Sequence, residues 1–333
     1  MSTDLDRALE VAVSAVRAAA VVCTRVQANL VTAETLEKKD KSPVTVADFA
    51  SQAVVCRALA AVFPDMPVVG EEDSKDLREA GAESLRSSVA SHVRSVVEGE
   101  PSEDEVLEWI DRGGWTPDGS SDAYWTLDPI DGTKGFLRGQ QYAIALGLIE
   151  NGRVVAGVLG CPNLPVVDGG SETGVLMTAA RGKGAQVLRL TAGEAAQKIH
   201  VSDVATTAAA RFCESVESAH SDQGASAQIA ATLGISGEPY RIDSQCKYAA
   251  VARGDASIYL RLPTSAEYRE KIWDHAAGMI VVEEAGGEVT DVHGNALDFS
   301  RGRTLEGNQG IIATNGRFHD EVVAAVKGAL TDL

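Results

Sequence analysis

No apolar run in this chain approaches the roughly 20 residues that a bilayer-spanning helix needs, so the sequence predicts no membrane span. Cysteines are few and scattered: Cys23, Cys56, Cys161, Cys213 and Cys246 are odd in number and form no CxxC pair. Neither a disulfide framework nor a cysteine zinc site is indicated, and the expectation is reduced, mostly buried thiols in a cytosol-like, cytoplasmic compartment. The chain has no GxxxxGK(S/T) loop, no GxGxxG opening a βαβ unit and no GxSxG elbow, so the NTPase, dinucleotide and serine-hydrolase readings fail. The first thirty residues lack a basic n-region and carry Asp4, Asp6 and Glu10, which argues against a secretory signal or transit peptide. Basic residues are scarce as well, with 30 Lys and Arg against 48 Asp and Glu and a net charge of −18. Such a chain repels polyanions, which weighs against nucleic-acid or anionic-membrane partners. A small anionic substrate stays compatible if cations neutralise its pocket locally. No protein partner can be inferred.

What the sequence does hold is concentrated in Asp128-Pro129-Ile130-Asp131-Gly132-Thr133. The apolar run 124–127 reads as a strand delivering Asp128 to a sheet edge. Pro129 fixes its own φ and holds Asp128 extended, so Asp128 and Asp131 can face one hard cation. Gly132 and Thr133 then offer backbone N–H groups at a helix start, an anion site. Carboxylates beside an anion cradle repel their ligand unless a metal sits between them. The stretch therefore predicts a divalent metal and a phosphate together.

At 333 residues, two lobes are expected, which we place at 1–199 and 200–333. Apolar spacing predicts helices over 5–30 and 46–63, then a short strand at 68–70 ending in Glu71, Glu72 and Asp73. Residues 74–122 are polar and read as a helix or two in a mobile surface excursion. Two apolar runs around Asn151-Gly152 predict a hairpin, and 174–190 a second antiparallel pair, giving an α+β first lobe. From about residue 200 strands and helices alternate, giving an α/β second lobe.

Several residues have both a chemical and a structural reading. Asp48 follows Thr45 by three, the spacing of a capping box, or it is a base orienting a nucleophilic water. Glu71, Glu72 and Asp73 form a solvated acidic loop unless one of them points into a site, and charge alone does not say which. Asp274 either caps the small-residue helix that follows or brings a carboxylate from the second lobe to the metal cluster. Ala276, Ala277 and Gly278 would let that helix approach another backbone closely. His275 has no second His at zinc spacing, so it serves packing or a hydrogen bond. Hard oxygen ligands without a Cys/His cluster favour magnesium or manganese.

GEE at 70–72, DPIDGT at 128–133 and WDHAAG at 273–278, in that order and with Thr45-x-x-Asp48 upstream, resemble the inositol-monophosphatase superfamily of metal-dependent, lithium-sensitive phosphatases. The longer runs TLDPIDGTKGFLRGQQYAIALGLIENG, ESAHSD, DSQCKYAAVARGDASIYLRLP and EKIWDHAAG are most similar to its 3′(2′),5′-bisphosphate nucleotidases. The resemblance implies a layered α-β-α-β-α sandwich of the inositol monophosphatase and fructose-1,6-bisphosphatase type. It implies metal ligation by Glu71, Asp128, the Ile130 carbonyl, Asp131 and Asp274, and activation of water by Asp48 with Thr133. It also places Gly132, Thr133, His220, Ser244, Lys247, Arg261 and Asp274 on the nucleotide and its phosphates. The expected cofactor is Mg²⁺, two or three ions per site, with Mn²⁺ as a substitute and Li⁺ or Na⁺ as inhibitors. The expected reaction converts adenosine 3′,5′-bisphosphate to AMP, and PAPS to adenosine 5′-phosphosulfate. The alternatives are an inositol phosphate phosphatase and a non-catalytic ligand-binding regulator on the same fold.

Overall fold

The computed structural model describes residues 3–30, 42–191, 193, 195–216, 223–263, 265 and 267–331. Its first sheet has seven strands that neighbour one another in chain order: β1 (Val68–Gly70), β2 (Ala123–Asp131), β3 (Ala143–Glu150), β4 (Arg153–Pro165), β5 (Thr173–Ala180), β6 (Gly184–Arg189) and β7 (Gln197–Ile199). β1 pairs parallel with β2, and the remaining neighbours are antiparallel. The β3–β4 hairpin turns at Asn151 and Gly152, whose φ values of 50° and 72° are the left-handed pair that a two-residue turn demands. Strand alternation sends side chains to two cores. Trp125 and Leu127 join a first core with α1 (Leu5–Leu30) and α2 (Ser42–Val62), whereas Tyr124 enters a second core on the opposite face.

Two expectations for this half need correction. The 74–122 stretch is not a loose excursion: α3 (Lys75–Arg78), α4 (Glu83–Arg94) and α5 (Glu103–Asp111) bury Leu77, Val89, Val93, Leu107 and Ile110 in the first core. Its polar composition belongs to the outer faces of these short helices. α2 begins at Ser42, so Thr45 and Asp48 lie inside it and form no capping box. The stretch Val44–Val62 of α2 is long and apolar enough to cross a bilayer by length and composition, but 72% of it is buried inside the protein. It is a core helix, and its buried polar residues Asp48, Ser51 and Gln52 lie near the ends of β1 and β2.

A short helix, α6 (Thr133–Leu137), follows β2 directly. The second sheet has the order β11-β12-β10-β8-β9. Its strands are β8 (Phe212–Glu214), β9 (Tyr240–Arg241), β10 (Ile258–Arg261), β11 (Glu288–Thr290) and β12 (Ile311–Thr314). Ile258, Leu260 and Ile312 pack into a third core with Ile229 of α7 (Gln223–Thr232) and Val322 and Val326 of α10 (His319–Thr331). Tyr259 turns the other way, into the second core, with α8 (Cys246–Arg253) and α9 (Ala276–Glu284). Three cores between five layers give the α-β-α-β-α sandwich. α9 is apolar all round because it lies between two sheets. Its small residues do permit close approach: a Cβ added at Gly147 of β3 would lie 3.0 Å from the Ala276 Cβ. All five cysteines are free and buried.

Candidate active site

Two strand ends bring the first carboxylates together. The β1–β2 register pairs Gly70 with Leu127, and the Glu71 amide donates to the Leu127 carbonyl at 3.2 Å. Glu71, at the end of the edge strand β1, therefore sits beside Asp128, whose strand β2 is flanked by β1 and β3 and is not the sheet edge expected from sequence. Asp128 and Asp131 are three residues apart, which on a regular strand would place them on opposite faces. The β2–β3 ladder shifts register between them, pairing Asp128 with Ala145 and Asp131 with Ala143. Three steps on β2 oppose two on β3, and this bulge returns Asp131 to the face of Asp128. Pro129, which has no N–H to pair, occupies the bulge.

α2 supplies a buried polar face made of Asp48, Ser51 and Gln52. Ser51 donates to the Pro129 carbonyl at 3.0 Å, fixing α2 against the bulge. Gln52 donates to the Glu72 carbonyl at 2.7 Å and accepts from the Glu72 amide at 3.1 Å, so it pins the acidic loop. Within that loop, Glu71 lines the cavity and Asp73 is exposed and paired with Lys75 at 2.9 Å. Charge alone left that choice open and the resemblance pointed to Glu71, which the β1–β2 register sets beside Asp128.

The second sheet and α8 form the facing wall of a cavity of about 500 Å³. Ser244, Lys247 and Arg261 line it together with Glu71, Asp128, Ile130, Asp131, Gly132, Thr133 and Asp274. Among the described residues proposed from sequence, Asp48 alone is not on the cavity wall. It lies close enough to Glu71, Glu72 and Asp128 for their charges to act on one another. His220 falls outside the described residues. Gly132 is left-handed at φ 91°, and a Cβ there would lie 2.8 Å from the Ser244 Cβ, so only glycine allows the two walls to close. Asp274 ends a 3-10 turn, Ile272–Asp274, and His275 precedes α9, so the capping reading of Asp274 fails. Two residues escaped the sequence reading. Gln245 donates its amide to Asp131 and its Nε2 to the Trp273 carbonyl at 2.9 Å, and accepts from the Gly278 amide at 3.0 Å, joining three site segments. Glu270 is buried between Arg261, at 3.0 Å, and His275 Nε2, at 3.2 Å. Its contacts depend on chain reversals that no local pattern encodes.

The model of the inositol monophosphatase family matches residues 4–330. The chain belongs to this family. A relative from Emericella nidulans, a 3′(2′),5′-bisphosphate nucleotidase, is 46% identical over 89% of this chain and 91% of its own length. One from Schizosaccharomyces pombe with the same name is 45% identical over 98% of this chain and 96% of its own. Among solved structures, the inositol monophosphatase from Anabaena covers 99% of this chain and 100% of its own, with a TM-score of 0.63 and 23% identity. That likeness establishes the inositol monophosphatase fold.

The carboxyls of this site act strongly on one another. Burial, and after it the charges of Glu71, Asp131, Asp274 and Asp48, push the Asp128 carboxyl well above the usual range. Asp274 and Asp48 are raised in the same way, first by burial and then by neighbouring acids. Asp131 is raised by burial, against the pull of Lys247 and the Gln245 amide. An all-oxygen, mutually repelling donor set of this kind fits a hard divalent cation, which would cancel the repulsion. Glu270, Asp274 and His275 also place ligand atoms within 4.8 Å of one another. Glu270, however, already spends its charge on Arg261 and His275, which outweigh its burial and hold it below the ordinary carboxylate range. We read this second group as an ion-pair network that orients Arg261.

A pH dependence follows. Carboxyls raised on folding bind protons that the unfolded chain has lost, so stability falls as pH rises from the ordinary value through the folded one. For Glu72, raised by burial and then by Glu71, that window runs from 4.5 to about 7. Thermal melts in EDTA should show a midpoint that drops between pH 5 and pH 8, about the span of that window. Mg²⁺ should flatten the drop. A chelated protein that is more stable at pH 8 would contradict the assignment of these shifts.

Proposed function

We propose that the protein is a Mg²⁺-dependent 3′(2′),5′-bisphosphate nucleotidase, releasing phosphate from adenosine 3′,5′-bisphosphate to leave AMP and acting on PAPS by the same cleavage. The observation that carries this is one cavity lined by two unlike sets of charges. Glu71, Asp128, Asp131 and Asp274 line it together with two cations, the buried Lys247 and the half-buried Arg261. A substrate with two separated phosphates uses both sets. An inositol monophosphate has no second phosphate for the cations. The relatives' shared name, at 45–46% identity, supports the same reading.

Glu71, Asp128, the Ile130 carbonyl, Asp131 and Asp274 would hold the metal, which when bound supplies Lewis-acid charge stabilisation and a water of lowered pKa. Thr133, on the cavity wall at the start of α6, would orient the attacking water, with Asp48, close to Glu71 and Asp128, as its partner. The planar Arg261 fork and the Lys247 point charge receive the phosphate that is not cleaved. Glu270 fixes the Arg261 guanidinium from behind, so the fork is set before substrate arrives. Ser244, held left-handed at φ 66°, brings its side chain against Gly132 where the two cavity walls meet.

The test is phosphate release from adenosine 3′,5′-bisphosphate, PAPS and inositol monophosphate at equal concentration with Mg²⁺, with EDTA and Li⁺ controls. The nucleotides should be preferred by about a hundredfold or more in kcat/KM, as expected when a charged subsite is filled or left empty. EDTA should remove activity. Preference for inositol monophosphate would overturn the assignment, and metal-independent turnover would overturn the metal site.

A further inference from the structure

We propose that Arg303 is a positioning residue that sets the spacing between the Glu71 and Asp274 carboxylates. The inference rests on reading those two groups as metal ligands. Arg303 belongs to none of the sequence motifs and lies in the long connection between β11 and β12. Its main chain runs beside the segment that leads to Asp274: the Arg303 carbonyl accepts from the Ile272 amide at 3.1 Å, and the Leu305 amide donates to the Glu270 carbonyl at 2.8 Å. An antiparallel bridge pairs Lys271 with Thr304 between them.

The side chain then crosses to the other strand end. Arg303 Nη2 donates to the Gly70 carbonyl, and Nη1 donates to the carbonyls of Trp115 at 3.0 Å and Gly113 at 3.4 Å. Its guanidinium lies over the Trp273 ring, 4.8 Å from the centroid. Gly70 immediately precedes Glu71, and Trp273 immediately precedes Asp274. One planar group thus grips the residue before each carboxylate.

Arginine suits this position for a geometric reason. Three carbonyls converge in the plane of its fork while its face stacks on an indole, and a lysine ammonium offers neither the fork nor the face. The opposite side of the loop is held by Gln52, against which a Cβ at Gly70 would close to 2.5 Å. Gln52 fixes the β1 side to α2, whereas Arg303 joins the β1 side to the Asp274 segment. Removing Arg303 leaves Glu71 and Asp274 each in place locally but releases the distance between them.

The test uses the full-length protein and Mn²⁺ as probe, with binding read by electron paramagnetic resonance of the free ion in wild type, Arg303→Met and Glu71→Gln. Arg303→Met should weaken Mn²⁺ binding by about tenfold, the effect typical of a partner that orients a ligand. At saturating metal its KM for adenosine 3′,5′-bisphosphate should stay within about twofold while kcat falls, since Lys247 and Arg261 are untouched. Mn²⁺ affinity within about twofold of wild type in Arg303→Met would overturn the positioning role. If Arg303→Met does not fold, Arg303→Lys, which keeps the charge without the fork, is judged by the same criterion. Unchanged Mn²⁺ binding in Glu71→Gln would overturn the metal reading itself, together with this inference. Binding lost in Glu71→Gln but kept in Arg303→Met would overturn only the role of Arg303.

Discussion

Asp128→Asn should lower kcat by at least about a thousandfold while raising the thermal midpoint of the metal-free protein. The two effects share one cause. Asp128 is buried and surrounded by Glu71, Asp131, Asp274 and Asp48, all of which disfavour its charge. With a divalent cation that concentration of charge is the binding site; without one it is stored repulsion. Asn keeps the shape and can still accept the Ile130 amide, now bonded to Asp128 Oδ1 at 3.1 Å, so the β2 bulge survives. It can also donate to Glu71, which already shares a hydrogen bond with Asp128. Steady-state kinetics with Mg²⁺ and melts in EDTA would check both halves. Turnover near wild type would mean the metal site lies elsewhere, and a lower EDTA midpoint would mean the Asp128 charge is stabilised by a group not identified above.

Gly278→Ala should destabilise the protein by about 3 kcal/mol, at the upper end of ordinary overpacking costs. Helix propensity alone predicts the opposite, a gain of about 1 kcal/mol for Gly to Ala inside a helix. Packing decides the sign. A Cβ at Gly278 would lie 2.3, 2.5 and 2.8 Å from Cδ2, Cγ and Cβ of Tyr248. Tyr248 has no freedom to retreat: it is fully buried, bonded through its hydroxyl to His275 Nδ1 at 2.8 Å and set edge-on to Tyr259 at 5.0 Å. α8 and α9 must therefore separate. Separation strains the bond from the Gly278 amide to Gln245 and, through Gln245, the position of Asp131. A fall of about 6 °C or more in the melting midpoint is expected, with reduced activity below it. A variant that melts higher than wild type would show that the α8–α9 contact is looser than its geometry implies.

Much of the site was legible because its parts are local words. DPIDGT encodes two carboxylates, a proline that suits a bulge and a glycine that suits a left-handed turn, all within one hexapeptide. The hairpin at Asn151-Gly152 was legible for the same reason, since a two-residue turn carries its own dihedral requirement. The 74–122 stretch misled because three short helices bury only one face each, and the remaining polar residues dominate its composition. The Asp48 cap misled because capping-box spacing recurs inside helices, where the pair is simply two residues on adjacent turns. Gln245, Gln52 and Arg303 were not read as site residues because each acts on main-chain groups far away in sequence, and Glu270 because only folding turns Arg261 and His275 toward it.

By itself the sequence determined the chemistry: hard carboxylates beside a glycine turn, in a chain whose acidity leaves a small, metal-neutralised anion as the fitting ligand. It determined the strand and helix periods as well, since alternation and 3.6-residue spacing are properties of neighbouring residues. Residue types alone did not say which acid of Glu71, Glu72 and Asp73 faces the cavity, and the tertiary structure gives the physical reason that it is Glu71, the register of β1 against β2. It alone decided that Asp128 and Asp131 share a face, because the bulge is defined only against β3. Carboxylates in a loop are merely solvated. Brought from the ends of β1 and β2 and from the turn before α9 onto one cavity, the same groups repel one another, and that repulsion suits them to a cation.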